Sequence, residues 1–165
     1  MNQKLLLLSI PIGLSMLAVF ALMSVFYDMG HAAPQATVIY VDADASGGES
    51  GADWVNAYSD LQSALAAADS GDEIWVAKGV YTPGVSLDDA FVLTDGVDVY
   101  GGFAATETLR EERDWHTNVT VLSGDIGGDD VTDVNGAVLT TTNQIGSNSY
   151  TVITGSKVIT DTTLD

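Results

Sequence analysis

Apolar and polar residues change rhythm twice along this chain, and each stretch predicts a different kind of element. From Leu5 to Tyr27 the sequence is uncharged and largely apolar, with Lys4 before it and Asp28 after it. The small residues Gly30-His31-Ala32-Ala33-Pro34 follow, so the front of the chain reads as a targeting segment cleaved after Ala32. The same run is long enough to span a bilayer as an uncleaved anchor, and the pattern leaves both readings open. Residues 1–32 are assigned to a signal peptide or N-terminal anchor, and the rest of the chain to the outside of the cytoplasm.

Residues 33–72 predict one strand and one capping helix. Val38-Ile39-Tyr40-Val41-Asp42 alternates as a strand does, and a loop of small residues runs from Asp44 to Gly51. Leu61, Ala64, Leu65 and Ala68 then fall on one helical face, with Ser59 as the expected N-cap, Gln62 completing a capping box, and Gly71 as the stop. At about three turns the helix is too short to persist alone, so its stripe must rest on other elements. Trp54 and Tyr58 are the expected packing partners.

From residue 73 the texture becomes short strands separated by glycine and aspartate turns. The expected strands are Ile74–Ala77, Phe91–Leu93, Val97–Tyr100, Val119–Leu122 and Tyr150–Ile153. Trp75 to Asp98 is 23 positions, and Asp98 to Val121 is again 23. A period in the low twenties suits one coil of a parallel β-solenoid, and the regular leucine ladder of a leucine-rich repeat is missing. The Asp/Asn/Thr/Gly-rich stretch from Gly127 to Asn148 reads as an inserted loop.

Composition narrows the chemistry. The 165 residues are 46% hydrophobic, yet 23 acidic side chains face 5 basic ones, for a formal net charge of -18. That field repels a polyanion, so no nucleic-acid partner is expected, and it can collect divalent cations. With no cysteine there is no disulfide scaffold, thiolate metal site or cysteine nucleophile. His116 is the sole histidine after residue 32, and it sits in a polar loop ill suited to a Ser-His-Asp relay. Arg110 and Arg113, among Glu107, Glu111, Glu112 and Asp114, are expected to pair internally and tie a long turn down. The candidate metal residues are Asp125, Asp129, Asp130 and Asp133, four hard oxygen donors in one flexible loop that suit calcium. Their spacing is not that of an EF-hand, and no catalytic residue is assigned.

Several segments resemble the opening of exported right-handed parallel β-helix proteins. They are Tyr40-Val41-Asp42-Ala43-Asp44, Trp54, Asp60-Leu61-Gln62-Ser63-Ala64-Leu65 and Gly71-Asp72-Glu73-Ile74-Trp75-Val76-Ala77, continuing through Tyr100-Gly101-Gly102-Phe103, Glu111-Glu112-Arg113-Asp114-Trp115 and Ser123-Gly124-Asp125-Ile126. This is the pectin-lyase-like fold, found also in polymorphic outer-membrane proteins and adhesins. The resemblance implies an all-β fold, a right-handed parallel β-helix, with 33–72 as N-terminal strand and capping helix and 73–165 as the first coils. It also implies that the coils are incomplete, Thr162–Asp165 looking like half of a further strand. The same opening precedes catalytic and non-catalytic members; the function expected here is non-enzymatic, a secreted or cell-surface segment of structural or adhesive type meeting polysaccharide or other surface proteins. The alternative is the N-terminal part of a carbohydrate-active enzyme, a polysaccharide lyase or glycoside hydrolase, whose catalytic coils lie beyond residue 165. Contact with a membrane is expected only through residues 5–27, if they are uncleaved.

Overall fold

The computed structural model describes residues 36–155, so the targeting segment and the half-strand expected at Thr162–Asp165 lie outside the described residues. Those residues form seven strands and one α-helix: β1 (Val38–Val41), α1 (Leu61–Ala67), β2 (Glu73–Ala77), β3 (Gly79–Tyr81), β4 (Phe91–Leu93), β5 (Asp98–Phe103), β6 (Thr120–Leu122) and β7 (Ile153–Gly155). The strands make three small sheets, in the orders β1-β2-β5, β3-β6 and β4-β7, and every pairing is parallel. Thus β5 lies on β2, β6 on β3 and β7 on β4. The chain visits the same three positions twice in the same order. Among the described residues no helix is long and apolar enough to cross a membrane.

Parallel pairing in register puts like residues on top of each other, and the sequence exploits this on both faces of the first sheet. Ile39, Ile74 and Val99 are register partners in one row, and Tyr40, Trp75 and Tyr100 in the next. The aliphatic row belongs to a buried cluster with Val41, Val76, Phe91 and Val97, against which α1 sets Leu61, Ala64 and Leu65. The aromatic row forms a second cluster with Phe103 and Trp54. Trp75 and Phe103 stack at 4.8 Å between ring centroids, and Tyr40 meets Trp54 edge-on at 4.7 Å. A sheet covered on both faces explains why β2 reads as a nearly continuous apolar run instead of alternating. Each large side chain buried this way contributes about 1.5–3 kcal/mol.

The helix starts one residue later than the sequence suggests. Asp60, in an extended conformation, is the N-cap, and its carboxylate accepts from the Ser63 amide at 2.7 Å. Of two adjacent cap-forming residues the charged one takes the position, where the helix dipole favours an anion. Ser59 instead donates to Glu49, and Gln62 accepts from the amide of Val92 at 3.3 Å, at β4. Gly71 lies beyond the extended C-cap Ala68 and donates its amide to the Gly96 carbonyl at 2.7 Å. Tyr58 packs against the helix's cluster as expected, whereas Trp54 belongs to the aromatic one.

The outer edge of β1 is covered by the segment that leads into α1. Tyr40 donates to Gly51, Tyr58 donates to Tyr40, and Asp42 donates to Tyr58, at 2.9–3.0 Å. Only glycine fits at 51, where φ is +68° and a Cβ would come within 2.9 Å of Ile39 and 2.7 Å of the Tyr58 ring. This side of the first sheet therefore presents no bare strand edge.

The 23-residue spacing is not the register. Asp98 pairs with Glu73 and not Trp75, and Val121 pairs with Val80. Two features hid this. The three-residue strand β3 follows β2 after Lys78 alone and is too short to show a period of its own, so no strand was expected after Ala77. Gly101-Gly102, expected as a turn, lies inside β5 and forms a bulge, so that Trp75 faces Tyr100 but Ala77 faces Phe103. Gly102 has φ +95°, and a Cβ there would come within 2.8 Å of Trp115 Cα. The last strand is likewise shifted from Tyr150–Ile153 to Ile153–Gly155, with Tyr150 exposed and its amide on the Leu87 carbonyl.

Candidate functional site

The acidic residues singled out in the sequence lie on the excursion between β6 and β7, which contains no strand. Its ends are held by antiparallel bridges, Asp125 to Asn148 and, further in, Thr132 to Val138. Within it carboxylates add to scattered backbone bonds such as Val131 to Asn143 and Asp133 to Ala137. Asp125 accepts from the amides of Gly128 (2.7 Å), Asp129 (3.3 Å) and Asp130 (3.0 Å). Asp130 Oδ1 accepts from the Ile145 amide at 2.6 Å and the Asn148 side chain at 3.3 Å. These bonds draw Asp125, Asp129 and Asp130 together, with one oxygen from each within 4.8 Å of the others.

Asp133 is not part of that group. Its Oδ1 accepts from the amides of Asn135 and Ala137, both at 2.9 Å, and closes a turn of its own. The four-carboxylate set expected from the sequence therefore reduces to three here, because an aspartate two residues before a turn is better satisfied locally. Three clustered carboxylates can hold a hard cation and repel one another without a counter-charge.

The arginine cluster is on the segment between β5 and β6, where a short 3-10 turn spans Arg110–Glu112. Arg110 reaches back to Glu73 at the start of β2 with a 2.7 Å ion pair, donates to the Tyr100 hydroxyl at 3.1 Å, and lies 4.7 Å over the Tyr100 ring. Arg113 donates to the Gly101 carbonyl at 3.3 Å and also lies over Tyr100. The segment is tied to the first sheet, and Glu73 is the partner that sequence reading missed. The signal was present, since Glu73 is a charged residue opening an otherwise apolar strand. Burial, with Asp98 beside it, raises the Tyr100 pKa above the ordinary tyrosine value.

The neighbouring carboxylates bond locally. Glu112 is lowered by hydrogen bonds from the Thr108 and Leu109 amides, and Asp114 by the Thr117 hydroxyl and amide. Both are held as anions that cap turns, the reverse of what a general acid needs. His116 lies against the exposed Trp115, with ring centroids 3.6 Å apart and the planes tilted by 34°. Comparison with protein-family models, curated proteins and solved structures finds no match.

Proposed function

We propose that this chain is a segment of an exported, cell-surface right-handed parallel β-helix whose work is structural or adhesive and not catalytic. The observation that carries the reading is the pairing of β5 on β2, β6 on β3 and β7 on β4, all parallel. Chain that returns to the same three positions in the same order is what one solenoid coil stacked on another requires. On this reading β1, α1 and the 51–58 segment close the N-terminal end, and the long segments after β5 and β6 are excursions from the coil. Right-handedness follows from the strong preference of parallel crossovers for that hand.

An extended face of this kind suits polysaccharide or other surface proteins, and a net charge of -18 favours neutral or cationic partners. Both arginines that could serve a lyase as base are engaged with Tyr100, and Arg110 with Glu73 as well. Incubation with polygalacturonate and millimolar calcium is therefore expected to give no unsaturated product. Turnover that disappears in Arg113→Ala would overturn the reading. Protease treatment of intact producing cells should remove residues 36–155, and protection of that region would contradict surface exposure. We propose further that Asp125, Asp129 and Asp130 hold calcium only in the millimolar range. A micromolar calorimetric site abolished by Asp129→Asn with Asp130→Asn would contradict this.

A further inference from the structure

The excursion carries the one asparagine in the sequence that a glycine follows, Asn135-Gly136. Such a pair is chemically labile, because glycine has no Cβ to keep its amide nitrogen away from the asparagine side chain. The nitrogen gives up its proton to solvent base and attacks Asn135 Cγ. Ammonia leaves from Cγ, a five-membered succinimide remains, and water opens it at either carbonyl. The products are aspartate, or isoaspartate with the backbone rerouted through the side chain. Water is the sole co-reactant, and nothing is oxidised or reduced.

Burial does not protect the pair, since Asn135 is exposed and Val134 beside it is 99% exposed. Hydrogen bonds to Asp133 do. The Gly136 amide, whose nitrogen is the nucleophile, donates to the Asp133 carbonyl at 3.1 Å. Asp133 Oδ1 accepts from the amides of Asn135 and Ala137, both at 2.9 Å, and the Asp133 amide donates to the Ala137 carbonyl at 3.0 Å. The backbone is thereby fixed on both sides of the Asn135–Gly136 peptide. The carboxylate also sets a negative charge beside a nitrogen that must itself become an anion to react.

We propose that Asn135-Gly136 is a latent deamidation site that the Asp133 side chain holds unreactive. The reaction proceeds only when the turn opens, at the rate of the open turn multiplied by the fraction of time it is open. Its product is not undone when the turn closes again. Isoaspartate lengthens the backbone by one carbon at a place where even a Cβ on Gly136 would run into the Val80 side chain, so the modified turn should pack less closely on β3. Asp133, which stands apart from the trio of Asp125, Asp129 and Asp130, has its role here.

The test is to age the full chain at mildly alkaline pH and follow loss of the Asn135 amide by mass spectrometry. Asn135 should react at least about tenfold more slowly in the native chain than in the same chain in guanidinium. Asp133→Ala, which removes the acceptor of two amides, should speed the native reaction about tenfold or more. Exchange of the Gly136 amide proton, read by NMR, should quicken by a similar factor, since both events pass through the same opening. Asp133→Asn keeps an acceptor oxygen and should stay within about threefold of the parent. Asn118, Asn143 and Asn148, which no glycine follows, should persist throughout. A parent that reacts as fast as the denatured chain would overturn the proposal, as would Asp133→Ala reacting no faster than the parent. Asp133→Asn reacting as fast as Asp133→Ala would also overturn it, because the hydrogen bonds would then not be what protects the site.

Discussion

The first sheet and the excursion between β6 and β7 are built from the same chain by opposite means. In the sheet, side chains do the holding: Ile39, Ile74 and Val99 stack on one face, Tyr40, Trp75 and Tyr100 on the other, and nearly all are buried. In the excursion, carboxylates hold backbone amides, and apolar side chains are left in water, Val134 at 99% exposure and Leu139 at 69%. The first region is stabilised by the area it removes from water. The second is stabilised by satisfied polar groups around turns. A substitution that introduces charge should therefore be ruinous in one and harmless in the other.

The largest expected effect follows directly. Leu65 is 2% exposed beneath α1, so Leu65→Asp buries an unpaired carboxylate and should cost about 4 kcal/mol or more. Val134→Asp should stay within about 0.5 kcal/mol. Chemical denaturation of both variants checks the contrast, and comparable losses would break it.

A smaller effect is expected at high pH. Tyr81 is pushed up to about 12, chiefly by burial, and its hydroxyl donates to the Ala77 carbonyl at 3.1 Å. An unfolded tyrosine loses its proton near pH 10, so this contribution is complete below pH 10 and is lost as pH rises toward 12. The loss should reach about 2 kcal/mol. Stability curves of parent and Tyr81→Phe should differ in slope between pH 10 and 12, the variant falling less steeply, and parallel curves would remove Tyr81 from the account.

How much of this was legible in the sequence follows the same division. Strand β1 and helix α1 were readable because burial imposes period 2 or 3.6 on apolar residues, and β2 and β4 because short apolar runs stand between turn residues. The cap was misplaced by one residue because Ser59 and Asp60 are both good caps, and only the fold sends Ser59 to Glu49. Strand β3 was hidden by its length, and the register was lost with it, since Val80 is the partner of Val121. In the excursion the sequence announced a loop but not its wiring. Asn135-Gly136 after Asp133 is a local turn signal that fits its closing its own turn, whereas nothing local shows that Asp130 reaches Ile145.

A finer effect probes the tie between the two kinds of structure. The Arg110–Glu73 pair is partly exposed, so Arg110→Met should cost about 1 kcal/mol or less, with a difference that shrinks as salt is added. A salt-independent loss would mean that the arginine acts by packing over Tyr100 and not by charge.

The central claim, that the chain passes the same three positions twice, is tested most directly by pairing cysteines introduced into this cysteine-free sequence. Val92 of β4 and Thr154 of β7 are register partners on exposed faces. Paired strands stand about 4.8 Å apart, within disulfide reach. On mild oxidation Val92→Cys with Thr154→Cys should form an intramolecular disulfide under native conditions, and Val80→Cys with Thr154→Cys, in different sheets, should not. Failure of the first pair together with closure of the second would contradict the parallel return of the chain.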